Sequence, residues 1–252
     1  MKTTGKLYGR LAWAFPIITP LRHYKKETEQ AFRLMQKAAR IPVRTLLHLG
    51  CGGGHNDHFF RRHARVTGVD LSPAMLRLAR RLNPDVAYLA GDMRKVRLGR
   101  TYDAVAAWDS VNHMTGPADL AKVFDSAYRH LEKGGVFFFL LDTDRAQFRQ
   151  GSVDGYVNRG KGVKIAFIEN LYDPDPRDTH YETRFVFLIR RKSGLKVETD
   201  RFRCGLFSAG EVLSLLRKRG FRARFLRYRP GAEAMEGCAS GRAYYPAFIA
   251  VK

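Results

Sequence analysis

The chain has 252 residues, 45% of them hydrophobic, and a formal net charge of +21. That length and composition suit one large α/β domain, and the charge points to anionic partners: nucleic acid, a membrane surface or acidic small molecules. Three cysteines, Cys51, Cys204 and Cys238, are odd in number and far apart; without a C-x-x-C pair or a Cys/His ligand set they exclude a disulfide framework and a zinc site, and they read as reduced thiols of a cytoplasmic protein.

The first apolar stretch, Leu11 to Leu21, follows Lys2, Lys6 and Arg10 and so mimics a secretory leader. Pro16 and Pro20 interrupt it, no small-x-small cleavage site follows, and a run this short cannot span a bilayer. Residues 1–42 are therefore read as an N-terminal cap segment, with Tyr8, Trp13 and Phe15 packed over a ligand crevice and a helix near 27–39. The basic flanks and aromatics also suit a membrane surface, a second reading of this segment.

Further along, strands are predicted near 43–49, 65–70, 86–90, 102–108, 134–141, 221–228 and 244–251, and helices near 55–63, 73–82, 117–130 and 208–219. Strands alternating with helices indicate a mostly parallel seven-stranded sheet covered by helices on both faces. Ser72-Pro73 is a helix start, a capping hydroxyl followed by proline at the first helical position. Gly134 and Gly220 read as helix stops. The last strand is predicted to be antiparallel, because the short Pro230–Arg242 connection holds no crossover helix.

Residues 142–206 break the alternation. Three strands are predicted there, over 163–170, 181–191 and 195–203, joined by the turn formers Asp173-Pro-Asp-Pro-Arg-Asp and by Lys192-Ser-Gly-Leu. The expected organisation is one domain over 1–252, with an antiparallel β lid inserted between core strands five and six.

The most specific stretch is Leu46-Leu-His-Leu-Gly-Cys-Gly-Gly-Gly, followed by Asp70 at the end of the next apolar run. Glycines let the backbone turn tightly and approach a ligand, and a carboxylate about twenty residues on can hold both ribose hydroxyls. The pattern is not a dinucleotide fingerprint, because His55 stands where the third glycine of G-x-G-x-x-G would fall, and no Lys-Ser/Thr pair makes it a phosphate loop.

This spacing resembles motif I of the class I S-adenosylmethionine-dependent methyltransferases, with a Rossmann-like fold, and later stretches arrive in that family's order. Gly91-Asp92-Met93 resembles the adenine-binding stretch, Tyr102 to Met114 the fourth strand with its loop, Leu131-Glu-Lys-Gly-Gly the turn into strand five, and Phe207 to Phe221 the late helix. A narrower likeness, to amino-sugar N,N-dimethyltransferases, rests on Asn112-His113-Met114 and the region after residue 142. The resemblance implies S-adenosylmethionine as cofactor, with Gly50, Cys51, Gly52 and Gly54 in its loop. It further implies Asp70 on the ribose, Asp92 on the adenine amine, Leu71 and Met93 flanking the ring, and Trp108 and Asp109 opening the crevice at the methionine end. His48 departs from the pattern, standing where the family usually has Asp or Glu.

His113 follows strand four on the active side, where an imidazole can take a proton from the acceptor. Tyr24 is placed with the cofactor. Tyr8, Tyr156, Tyr172 and Arg184 are candidate substrate contacts. His55, His58 and His63 read as surface histidines, Asp57 points elsewhere, and no metal is implied.

The expected activity is methylation of N or O of a small molecule, acidic or nucleotide-linked, by an enzyme with no transmembrane segment, and a homodimer is left open. Two rivals stand beside it. A nucleic-acid methyltransferase needs a basic, aromatic groove into the crevice; yet the densest basic run, Arg217 to Arg229, begins at the far edge, with only Arg227 and Arg229 reaching the active end, and the base-methylating Asn/Asp-Pro-Pro-Tyr motif is replaced by Asp109-Ser-Val-Asn. A non-catalytic cofactor-binding or scaffold protein is the other.

Overall fold

The computed structural model describes residues 5–229 and 243–252. The Pro230–Arg242 connection, with Cys238, thus lies outside the described residues.

Seven strands form one sheet: β1 (Thr45–Leu49), β2 (Arg65–Asp70), β3 (Ala87–Ala90), β4 (Tyr102–Ala107), β5 (Leu131–Leu140), β10 (Arg222–Tyr228) and β11 (Tyr245–Val251). Their order is β10-β11-β5-β4-β1-β2-β3. β11 runs antiparallel to both of its neighbours, while β5, β4, β1, β2 and β3 pair in parallel. The order reverses between β1 and β4, and in a doubly wound sheet the carboxyl ends at such a reversal frame a ligand crevice.

The central strands are apolar on both faces because both faces are covered. Leu46, Phe138 and Ile249 point to the layer holding Phe32 and Met35 of α2 (Tyr24–Ala38), Phe60 of α3 (His55–Phe60) and Leu76 of α4 (Pro73–Leu82). Leu47, Phe137, Phe139 and Phe248 point to the opposite layer, with Phe124 of α5 (Pro117–Arg129) and Leu216 of α6 (Ala209–Lys218). The period of two in a strand sends successive side chains to opposite layers. Local signals fix the helix starts: the Ser72 hydroxyl accepts the Met75 N–H at 3.1 Å, and Ser208 with Glu211 forms a reciprocal capping box.

Some boundaries differ from the sequence expectation. The helix before β5 ends at Arg129, as its expected range near 117–130 has it, but β5 begins at Leu131, ahead of the expected 134. Gly134 lies inside β5 with φ at +84°, where the pairing with β4 shifts register, so its conformational freedom serves a bulge and not a helix stop. The first long helix begins at Tyr24, earlier than expected, after a short α1 (Phe15–Ile18).

The insertion between β5 and α6 forms a separate antiparallel sheet of four strands, not three: β6 (Val153–Gly160), β7 (Val163–Tyr172), β8 (His180–Arg191) and β9 (Gly194–Gly205), in that order. β6 was illegible because Val-Asp-Gly-Tyr-Val-Asn-Arg-Gly is rich in poor strand formers; its full register with β7 holds it extended. One face of this sheet carries Ile165, Phe167, Phe187 and Ile189, which pack on Leu7, Leu11, Ala14 and Ile18. Arg10 grips both Glu198 oxygens, at 2.8 and 2.5 Å, and the Leu7 N–H donates to Asp200 at 2.7 Å.

The N-terminal segment and the second sheet thus share one apolar cluster. Phe187→Ala is expected to cost about 3–5 kcal/mol in chemical denaturation and to speed proteolysis within residues 5–18, the chain that loses its packing partner.

Candidate functional site

The crevice begins where β1 ends. Gly50, Gly52 and Gly54 turn with φ of +70°, +54° and +77°, a region that side-chain-bearing residues rarely adopt. At Gly50 a Cβ would also stand 2.2 Å from the Ser110 hydroxyl oxygen and 2.7 Å from the Met93 methyl. The N–H groups of Gly50 and Cys51 donate to the Val69 carbonyl at 2.7 and 3.0 Å, which seats the loop on the end of β2. The Cys51 side chain is buried.

Asp70 closes the turn from the other side. One carboxylate oxygen accepts the Gly52 N–H at 2.8 Å and the other the Ser72 N–H at 2.7 Å. Burial pushes this carboxyl above its ordinary value, and the two N–H donors hold it back. Each oxygen keeps acceptor capacity for a hydroxyl. Beside it Leu71 is 45% exposed, an apolar surface with no protein cover.

Asp92 is held by Arg94. The guanidinium reaches one oxygen at 2.7 Å and the other at 3.0 Å, and the Arg94 N–H adds a bond at 2.9 Å. Arg94 keeps this carboxyl below its ordinary value and also bonds Asp119 at 2.6 Å. The resemblance did not foresee this arginine. Met93 lies at the edge of the α5–α6 layer, its methyl facing Gly50.

Beyond β4 a short turn over Asp109–His113 forms the opposite wall. Trp108 is a correction to the sequence reading: its indole does not line the crevice but is turned into the core, 5.9 Å from the His48 ring and 5.4 Å from Phe138, because the strand period points it to the α2–α3 layer. Its N–H is accepted by Glu27 of α2. Glu27 carries no local signal of this role, since a lone glutamate in a basic helix start has no pattern around it. Burial and the nearby Asp109 carboxylate push Glu27 up to about 8.

His48 is a buried core histidine. Its Nδ1 lies 2.6 Å from an Asp57 oxygen, and both residues are almost wholly enclosed. Asp57 therefore points inward to its partner across the loop. His55 is not a surface residue either: it is 5% exposed and stacks between Phe15, at 5.2 Å, and Tyr24, at 4.9 Å. Burial lowers it to about 4. His63 is exposed as expected, and His58 faces Asn83 at 3.1 Å.

The N-terminal segment and the second sheet supply the roof. Tyr8, His113 and Phe202 form a three-ring box, with centroids 5.6 Å apart for Tyr8–His113, 5.2 Å for Tyr8–Phe202 and 5.4 Å for His113–Phe202. The Tyr8 carbonyl accepts the Ser72 hydroxyl at 2.5 Å, so this segment rests on the N-terminus of α4. Burial lowers His113 to about 4 and, helped by Asp109, Asp70 and Glu169, raises the Tyr8 phenol well above its ordinary value.

Tyr156 lies on the same sheet face as Phe167, at 5.2 Å from it. Tyr172 and Arg184 do not reach the crevice: the register puts them on the opposite face, where Tyr172 is exposed and Arg184 pairs with Glu182 at 3.3 Å. Phe202, which the sequence reading missed, takes the place expected of them. Among the described residues no group of three or more His, Cys, Asp or Glu side chains can hold a metal ion, and no helix is long and apolar enough to cross a membrane.

A mostly parallel sheet with a glycine turn after β1 and a ribose-competent carboxylate after β2 defines a nucleoside-binding α/β protein. Residues 46–135 match the methyltransferase domain family. The chain is 30% identical over 193 residues to the dTDP-3-amino-3,4,6-trideoxy-alpha-D-glucopyranose N,N-dimethyltransferase of Streptomyces venezuelae, covering 76% of this chain and 81% of that one. It is 28% identical over 224 residues to the dTDP-4-amino-2,3,4,6-tetradeoxy-D-glucose N,N-dimethyltransferase of Saccharopolyspora spinosa, covering 87% and 86%. The S-adenosylmethionine-bound amino pentose methyltransferase CalS10 of Micromonospora echinaspora superposes with a TM-score of 0.76 at 25% identity, over 90% of this chain and 91% of that one. The chain belongs to the class I S-adenosylmethionine-dependent methyltransferases. It is an enzyme that uses S-adenosylmethionine to methylate a small molecule.

Two outcomes follow from this geometry. Asp70→Ala removes a charged acceptor, so calorimetric affinity for S-adenosylhomocysteine is expected to fall at least about tenfold. The His113 imidazole should stay neutral down to about pH 4 in an NMR titration. The unfolded chain binds that proton near pH 6.5, so His113 subtracts stability progressively as pH falls from there to about 4, and replacing it by Asn should flatten that part of the thermal-stability profile.

Proposed function

We propose that this enzyme methylates the amine of an amino sugar carried on a nucleoside diphosphate. The observation that carries this reading is the likeness to two sugar-nucleotide N,N-dimethyltransferases, one of which spans 87% of this chain and so extends well past the nucleoside-binding half. The +21 charge supports an anionic acceptor. The residues 1–42 act as a cap and 142–206 as a lid, and the shared cluster of Leu7, Leu11, Phe167 and Phe187 supports their closing together. The buried free thiols of Cys51 and Cys204 support a reducing, cytoplasmic setting.

The residues present fit S-adenosylmethionine. A Cβ-free approach at Gly50, the acceptor pair of Asp70 and the uncovered Leu71 suit the loop, ribose and adenine sides. Asp92 keeps the adenine amine in reach as an ionised acceptor steadied by Arg94. Met93 and Tyr24 flank the site, and Asp109 borders the methionine end. When bound, the cofactor supplies a methyl group already activated on a sulfonium.

The protein's part is then to hold an amine in line with that methyl and to exclude water. Tyr8, His113 and Phe202 do this as a closed aromatic box, with Tyr156 farther along the same face. His113, lowered to about 4, is a neutral imidazole at neutral pH. It accepts a hydrogen bond from the amine and orients the nitrogen lone pair. As a base it is weak, because catalysis favours a group titrating near the working pH, so the amine arrives uncharged and its surplus proton passes to solvent after transfer.

The test is incubation of the purified chain with S-adenosylmethionine and a dTDP-linked amino-deoxysugar, read by mass spectrometry. One or two added methyl groups on the sugar, with matching S-adenosylhomocysteine, are expected; turnover on amines lacking the nucleotide but not on the sugar nucleotide would overturn the reading. His113→Asn should lower kcat by about tenfold, the scale of one orienting hydrogen bond. Added salt should raise the acceptor KM, and a salt-independent KM would count against an anionic acceptor.

A further inference from the structure

The end of β1 offers the crevice no carboxylate. His48 occupies the position, and the acidic partner beside it, Asp57, is spent on the imidazole at 2.6 Å inside the core. A carboxyl group stands instead at the opposite wall. Glu27 comes from the first turn of α2, held through the Trp108 indole N–H on its side chain and through the Tyr228 hydroxyl, which donates to its backbone carbonyl at 2.6 Å. Trp108 is the residue directly before the Asp109–His113 turn, so this bond fixes Glu27 over the carboxyl end of β4.

Among the described residues, three titratable groups act on or are acted on by Glu27. Asp109 faces it from the turn after β4, Tyr24 from its own helix and Tyr228 from β10. Among the described residues the charge that raises it is the Asp109 carboxylate. Glu27 is half-buried against the Trp108 indole and Asp109, the next residue, is exposed at the same strand end; within a chain of net charge +21 these acids form a local seat for a cation.

The sheet order says which cation. From β3 through β2 and β1 to β4, the ribose carboxylate Asp70 stands after β2 and the Glu27–Asp109 pair after β4. A ligand with its nucleoside at Asp70 lays its amino-acid end across β1 towards β4. We propose that Glu27, with Asp109 beside it, receives the α-ammonium of the methionine moiety of S-adenosylmethionine, replacing an acid at the end of β1. This assignment rests on the cofactor lying in this crevice.

The test compares wild type with Glu27→Gln, which keeps the indole acceptor and the backbone bond to Tyr228. Calorimetric titrations use S-adenosylmethionine, S-adenosylhomocysteine and 5′-methylthioadenosine, which keeps the nucleoside and lacks the amino acid. The expected result is a loss of about tenfold or more for the first two ligands and none for the third. A second readout comes from the proton. Glu27, pushed up to about 8 in the free enzyme, must ionise to take the ammonium, so at pH 7 wild type should release close to one proton per S-adenosylhomocysteine bound, seen as a dependence of heat on buffer ionisation. Glu27→Gln should release none. Equal weakening of all three ligands, or unchanged affinity for all three, overturns the assignment. Unchanged binding with an altered pH profile of kcat overturns it in favour of a role at the acceptor amine. Failure of wild type to bind any of the three overturns the cofactor placement itself.

Discussion

The carboxylate of Asp70 is the joint on which the site depends. It accepts N–H groups from two separate turns, at Gly52 and at Ser72, and so locks the loop after β1 to the start of α4. Charged acceptors bind backbone N–H groups about twice as strongly as neutral ones, and here one side chain satisfies donors that the two turns leave open. The Ser72 hydroxyl then passes the restraint to the Tyr8 carbonyl, which seats the N-terminal segment over the same loop. A single half-buried carboxylate thereby sets both the floor and part of the roof.

The roof needs a second support, which the inserted sheet provides. Ile165, Phe167, Phe187 and Ile189 bury the N-terminal Leu7, Leu11 and Ile18, and Arg10 with Glu198 pins the rim. Burying apolar side chains of this size is worth roughly 1.5–3 kcal/mol each, far more than an exposed ion pair. Packing therefore holds the segment down, and the ion pair sets its register. Phe202 extends from that sheet to complete the box with Tyr8 and His113.

The electrostatics of the crevice oppose those of the whole chain. Asp70, Asp92, Asp109, Glu27 and Glu169 gather around it in a protein of net charge +21. The long-range field attracts anions, while the short-range field inside the crevice favours the positive charge of a sulfonium and an ammonium. The two effects act on different scales, because salt screens charges beyond about 8–10 Å and buried neighbours are screened far less. His55 and His113, both enclosed by aromatic rings and lowered to about 4, add no positive charge to compete.

The sequence by itself determined the sheet, its helices and the loop, because those rest on local rules. A period of two along β1 and β5, a Ser72-Pro73 helix start and the glycine run after Leu49 each act within a few residues, and each is found in place. The direction of β11 followed from the shortness of the connection before it. Tertiary structure alone decided the rest. Whether Trp108 faces ligand or core, whether His48 meets a cofactor or Asp57, and whether Tyr172 and Arg184 lie on the inner or outer face all depend on register and on partners far away in the chain. The strand β6 exists because β7 pairs with it, against its own weak propensity. Glu27 meets Trp108, and Phe202 meets Tyr8 and His113, only when α2 and β9 are folded back onto the stretch that follows β4. A lone glutamate or phenylalanine has no local pattern to announce it, since its role is fixed by the groups that surround it and not by its neighbours in sequence.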